Sequence, residues 1–118
     1  MKTILVVEDD EPSLKLLREL LTRERHRVLA SRSMREAFAL AAGERPDLIL
    51  VDLDLAAAGG LAAVRMLKTD PQLRIVPVLA LSSGSEDRTR AAEAGCSSCI
   101  AKPLQAKPLL EAVRKLLG

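Results

Sequence analysis

Short apolar runs alternate with longer amphipathic stretches along this chain. Ile4-Leu5-Val6-Val7 is unbroken by polar residues and is stopped by Glu8-Asp9-Asp10, which predicts a strand buried on both faces. Asp10 is placed to cap a helix whose first turn holds Pro12, and Leu14, Leu17, Leu20 and Leu21 then recur at helical spacing. The polar stretch Thr22 to Arg27 closes that helix, and Val28-Leu29-Ala30 predicts a weaker strand. Ser33, with Glu36 three residues on, has the form of a capping box for a helix carrying Ala37, Phe38, Leu40 and Ala41 and ending at Gly43.

The pattern continues past the break at Pro46-Asp47. Leu48-Ile49-Leu50-Val51 predicts a third buried strand that ends at Asp52, and Ala56 to Gly60 predicts a mobile loop of small residues. A helix follows over Leu61 to Lys68, stopped at Asp70-Pro71. Val76 to Leu81 predicts a strand with Pro77 near its start, Ser82 to Ser85 a loop, and Glu86 to Ala94 a short helix ended by Gly95. Cys99 to Ala101 predicts the last strand, and Lys107 to Leu117 the last helix, with Pro108 in its first turn. Five strand–helix units in a row imply an α/β fold: a parallel sheet, helices on both faces, and right-handed crossovers.

Composition narrows the function. The chain has 118 residues, 48% of them hydrophobic and 29% charged, which fits one folded domain and excludes a disordered chain. A net charge of +2 is too small to argue for nucleic acid or an anionic membrane, and neither is expected as a direct partner. Phe38 is the sole aromatic, which argues against binding of single strands by base stacking. No run is long enough for a membrane span or a secretory signal, and two cysteines do not make a disulfide framework, so a cytoplasmic location is expected.

An open parallel sheet carries its chemistry beyond the carboxyl ends of its strands. Those ends hold Glu8, Asp9 and Asp10 after the first run, Asp52 and Asp54 after the third, Ser82 and Ser83 after the fourth, and Lys102 after the fifth. Each alone has an ordinary explanation as a cap, a turn former or a solvated charge; together they point to a site. Carboxylates at Glu8, Asp9 and Asp52 brought together repel by about 4 kcal/mol per pair at 4 Å and an effective dielectric of 20. Such a site takes up protons or binds a cation. Hard oxygen ligands without His or Cys favour Mg²⁺. A magnesium ion beside a nucleophilic carboxylate, a hydroxyl and an ammonium suits phosphoryl transfer.

At these residues the chain resembles the receiver domain of bacterial two-component response regulators. The matching segments are Ile4 to Asp10, Pro46 to Asp52 with Gly60 downstream, Val76 to Ser82, Ala94-Gly95 and Lys102-Pro103, and the resemblance makes residues 1–118 one receiver domain. It implies a flavodoxin-like (βα)5 fold with strand order 2-1-3-4-5. It implies Asp52 as the phosphoacceptor, served by a sensor histidine kinase or a histidine phosphotransfer protein. Asp9 is then a direct Mg²⁺ ligand and Glu8 its acidic partner, while Asp54 gives the metal a backbone carbonyl. Ser82 is the switch hydroxyl, Ser83 offers its N–H to a phosphoryl oxygen, and Lys102 pairs with the phosphoryl group across a cis Lys102–Pro103 bond. The implied output is altered binding of a downstream protein by the last two helices and the fifth strand, reset by slow autodephosphorylation rather than enzymatic turnover.

The chain departs from the family pattern in two places. Cys99 stands where many receivers have an aromatic that follows the switch hydroxyl, and Ala56 stands where a proline is common. These departures keep open a module of the same fold that binds partners without being phosphorylated. A haloacid-dehalogenase-type phosphatase is disfavoured because Asp52-Leu53-Asp54 comes after the acidic pair and no cap insertion exists; an FMN carrier is disfavoured by the acidic first loop. Cys96-Ser97-Ser98-Cys99 matches a redox spacing but follows Gly95 into a strand, where small apolar packing is the expected role. His26, among Arg23, Arg25 and Arg27, is expected to be solvated.

Overall fold

In a computed structural model the described residues are 1–55, 59–84 and 87–118. The strands are β1 (Thr3–Val7), β2 (Arg27–Ser31), β3 (Leu48–Asp52), β4 (Val78–Ser82) and β5 (Ser98–Ala101). The helices are α1 (Glu11–Arg23), α2 (Met34–Glu44), α3 (Gly60–Thr69), α4 (Asp87–Ala94) and α5 (Ala106–Leu117). All strand pairs are parallel, in the order β2-β1-β3-β4-β5.

The unbroken apolar runs are explained by the two faces of the sheet. Ile4, Val6, Leu48, Leu50, Leu79 and Leu81 pack with Leu14, Leu17 and Leu21 of α1 and Leu109 and Val113 of α5. Leu5, Val7, Ile49, Val51, Val78 and Ala80 point the other way, onto Ala37 and Ala41 of α2, Val64 and Leu67 of α3, and Ala91 and Ala94 of α4. Alternate residues of one strand therefore enter different cores. Each fully buried Leu or Ile contributes roughly 1.5–3 kcal/mol.

Local chemistry sets the helix ends. Asp10 caps α1, accepting from the Ser13 N–H at 3.1 Å and the Ser13 hydroxyl at 2.6 Å. Ser33 caps α2 through the Glu36 N–H at 3.2 Å, and Glu36 reaches back to the Arg32 N–H at 3.0 Å, one residue before the cap. Several expected limits move. Helix α2 runs through Gly43 to Glu44, because Arg45 rather than Gly43 takes the left-handed conformation at φ 47°. Strand β4 begins at Val78, not Val76. Asp70 folds residues 70–76 into a turn in which the Val76 N–H bonds Leu73 O at 2.9 Å, so Val76 is spent before the ladder starts. Strand β5 begins one residue earlier than expected, at Ser98, which pairs with Leu79. Ser82 is the last residue of β4 rather than the first of a loop, and Gly60 is the first residue of α3 rather than loop. Ala56 to Ala58, Ser85 and Glu86 lie outside the described residues, and with them the core of the expected mobile loop, the missing proline and the expected helix start at Glu86.

Candidate functional site

The sheet register brings the polar strand ends together. Val7 pairs with Val51, so Glu8 lies beside Asp52 one step further along. Asp52 pairs with Leu81, and Ser82 with Ala101, so Lys102 follows just past Ser82. Strand order reverses between β1 and β3, which leaves a crevice at their carboxyl ends. Backbone bonds fix the rims: the Glu8 N–H donates to Ser31 O at 2.9 Å and the Lys102 N–H to Ser82 O at 2.8 Å. Ser31 is itself pinned, its hydroxyl donating to Val6 O at 2.8 Å.

Glu8, Asp9 and Asp52 each offer a carboxylate oxygen within 4.8 Å of the others. Glu8 is fully buried and Asp52 is 2% exposed, whereas Asp9 is open to solvent. Lys102 Nζ lies 2.8 Å from Asp52 Oδ1 and 3.1 Å from Asp54 Oδ2. The Asp54 N–H also donates to Asp52 Oδ1, at 2.9 Å. The Lys102–Pro103 peptide bond is cis. Asp10 keeps its carboxylate on capping duty, outside the acidic trio, while its N–H donates to Glu8 Oε2 at 3.3 Å.

Electrostatics follow from the crowding. Burial, then the hydrogen bond and charge of Asp52, push the Glu8 carboxyl up to about 8. Burial acts to raise Asp52 too, but hydrogen bonds from a protonated Glu8, from Lys102 and from the Asp54 N–H outweigh it and hold Asp52 below the usual carboxylate range. Burial opposes the charge on Lys102, yet its hydrogen bonds to Asp52 and Asp54 raise it above an ordinary lysine. So Glu8 carries a proton while Asp52 and Lys102 stay ionised. As a carboxylate, Glu8 would leave Oε1 buried with no hydrogen-bond partner. A hard divalent cation held by Glu8, Asp9 and Asp52 would satisfy that oxygen and remove the need for the proton.

The hydroxyl side of the site is arranged differently from expectation. Ser82 is 1% exposed, and its hydroxyl is engaged with Asp87 of α4 through a short hydrogen bond to Oδ2. The Ser83 N–H donates to Asp54 Oδ2 at 3.2 Å. Asp54, expected to matter through its carbonyl, thus also spans Lys102 and Ser83 with its side chain. Asp87 was missed by sequence reasoning. An acid in the first turn of a helix reads as a partner of the helix dipole, and nothing in the sequence marks it as the neighbour of the Ser82 hydroxyl.

Residues set aside as structural behave mostly so. Cys96 and Cys99 are unbridged and half-buried, and burial pushes the Cys96 thiol up to about 11, away from redox reactivity. His26 is half-buried rather than solvated, with Nδ1 out of water and unpartnered. A groove of about 310 Å³ lined by Ala41, Arg45, Leu73 and Ile75 opens elsewhere and includes none of the acidic cluster. No described helix is long and apolar enough to cross a membrane.

Comparison with known proteins gives this arrangement a family. The family model for the response regulator receiver domain matches residues 4–114. The polar-differentiation response regulator DivK of Brucella anthropi is 36% identical, the alignment spanning 99% of this chain and 97% of that one. Among solved structures, the signal receiver domain of a histidine kinase from Syntrophus aciditrophicus is 34% identical, with a TM-score of 0.88 over 99% of this chain and 90% of that one. The receiver domain of a sensor histidine kinase from Pseudomonas aeruginosa, solved with a magnesium ion coordinated in its active-site cleft, is 28% identical, with a TM-score of 0.89 over 99% and 98%. With the strand order, the acidic trio and the lysine already in place, these matches settle the relationship: the chain belongs to the response regulator receiver domain family.

Proposed function

We propose that this chain is a phosphorylation-driven signalling switch with Asp52 as its phosphoacceptor. The observation that carries the reading is the convergence on buried Asp52 of a paired Lys102 and of two further acids, one of them with a buried oxygen that no hydrogen bond satisfies. Glu8, Asp9 and Asp52, with the carbonyl of Asp54, are the ligands we assign to Mg²⁺, which when bound supplies charge neutralisation to the transferring phosphoryl group. The magnesium seen in the Pseudomonas relative supports that assignment.

The residues divide the work. An Asp52 carboxylate oxygen attacks the phosphorus of a phosphohistidine on a sensor kinase or phosphotransfer protein. The P–O bond forms as the P–N bond breaks, and the imidazole leaves with the electron pair. Lys102 stabilises the equatorial oxygens, as do the Ser82 hydroxyl and the Ser83 N–H once they turn to the new group. The aspartyl phosphate adds charge and acceptor oxygens where a carboxylate stood. The α4–β5–α5 surface then shifts toward a state that binds a downstream protein, and water attack on phosphorus resets the switch. The cytoplasm, where kinase and donor reside, is the location this implies.

Incubation with Mg²⁺ and a small acyl phosphate, followed by intact-mass measurement, tests the reading. One added phosphoryl group is expected on the wild type and none on Asp52→Ala. No gain on the wild type would favour a phosphorylation-independent interaction module of the same fold.

A further inference from the structure

The Ser82 hydroxyl has one proton to give, and it is already committed. Its oxygen accepts from the Gly84 N–H at 3.0 Å. Its proton faces two acceptors, Gly84 O at 3.2 Å and the carboxylate of Asp87. A charged carboxylate outcompetes a neutral carbonyl for that proton. A phosphoryl oxygen on Asp52 therefore finds no free donor at Ser82 until the bond to Asp87 is broken. Asp87 is the first residue of α4, and that helix is lightly held: over eight residues it buries only Ala91 and Ala94. An open cleft of about 300 Å³ lies beside it, lined by Ser82, Gly84, Arg88, Cys99 and Ala101. Cys99, short and half-buried, leaves that space unfilled.

We propose that Asp87 is a positioning residue that captures the Ser82 hydroxyl in the resting protein and, when phosphorylation withdraws it, passes the change to α4. This rests on the reading of Asp52 as phosphoacceptor and names the element that couples that site to the output surface. Asp87 competes with the phosphoryl group for one proton, so it sets how strongly the site must bind before the switch turns. Coupling runs through the first turn of α4 rather than through a side chain of β5.

The test is a titration of the full chain with beryllofluoride, a tetrahedral phosphoryl mimic, in the presence of Mg²⁺. Asp87→Ala should tighten binding about tenfold, the worth of one hydrogen bond to a charged group. Asp87→Asn removes the charge but keeps an acceptor oxygen, and should gain less than about threefold. In a Ser82→Ala background, Asp87→Ala should gain nothing. A full gain in the Asn variant, or an equal gain without the Ser82 hydroxyl, would show charge repulsion instead and overturn the proposal; so would unchanged affinity in Asp87→Ala. If the wild type fails to bind the mimic, the phosphoacceptor reading is what has failed. Amide exchange in α4 then decides the capture by itself: Asp87→Ala and Ser82→Ala should speed it alike, and an unchanged rate in both refutes it.

Discussion

At the scale of single residues, the site is a problem in sharing charge. In the metal-free protein, burial first and Asp52 second hold the Glu8 carboxyl at about 8. Between the ordinary glutamate range and about 8, the folded protein keeps a proton there that the unfolded chain has lost. This group therefore makes the metal-free fold less stable as pH rises through that window, since the folded state binds more protons. A cation at Glu8 must displace the proton. Apparent Mg²⁺ affinity should thus rise by up to about tenfold per pH unit below the Glu8 pKa and level off above it. Calorimetry in buffers of different ionisation enthalpy should detect about one proton released at neutral pH. In Glu8→Gln the pH dependence should flatten; a steep dependence surviving there would contradict the assignment. Asp54 holds Lys102 and the Ser83 N–H from the solvent side of Asp52. A larger side chain there obstructs water on its way to phosphorus. Asp54→Arg should lengthen the life of the aspartyl phosphate by about threefold, a change in barrier of under about 1 kcal/mol. Single-turnover decay measures it, and an unchanged lifetime would remove Asp54 from the water path.

At the scale of elements, two glycines make opposite predictions. A Cβ on Gly60 would lie 2.2 Å from Leu53 Cα and 2.7 Å from Asp52 O, so the first turn of α3 packs backbone to backbone against the end of β3. Gly60→Ala should cost about 1–3 kcal/mol or more by overpacking and should misplace Asp52. Gly43 sits in α2 with nothing within 4 Å of an added Cβ. Gly43→Ala should stabilise by about 0.5–1 kcal/mol through helix propensity. Chemical denaturation of the two variants checks both signs. The same elements show what sequence pattern conveys and what it does not. Leu48 to Val51 read as a doubly buried strand because nothing polar interrupts it, and every residue of β3 is indeed buried. Val76 read as strand for the same reason, but Asp70 claims the Gln72 and Leu73 N–H groups and Lys68 Nζ claims Val76 O at 2.8 Å. Hydrophobicity told where burial occurs; hydrogen-bond competition told where the ladder starts.

At the scale of the whole molecule, the acidic rim is a cost that a ligand can offset. Mg²⁺ at about 100 times its dissociation constant should add about 2.7 kcal/mol to stability. For a domain of this size that is roughly 10 °C in Tm. Asp9→Ala and Asp52→Ala should lose most of that rise, and an equal rise in all three proteins would place the ion elsewhere. The chain by itself determined the alternation of strands and helices, because apolar runs of four to six residues, bounded by polar or turn residues and alternating with amphipathic stretches, suit a sheet covered on both sides. It also determined that Glu8, Asp9, Asp52, Ser82 and Lys102 lie at the carboxyl ends of the strands, since each closes or closely follows an apolar run. Only the tertiary structure decided which partner each one takes. Register and strand order lie between segments distant in sequence, and they set Lys102 against both Asp52 and Asp54. The placement of α4 against the end of β4 gave the Ser82 hydroxyl Asp87 as its acceptor. Side-chain type fixes what a group can donate or accept; three-dimensional proximity fixes which of several willing acceptors receives the proton.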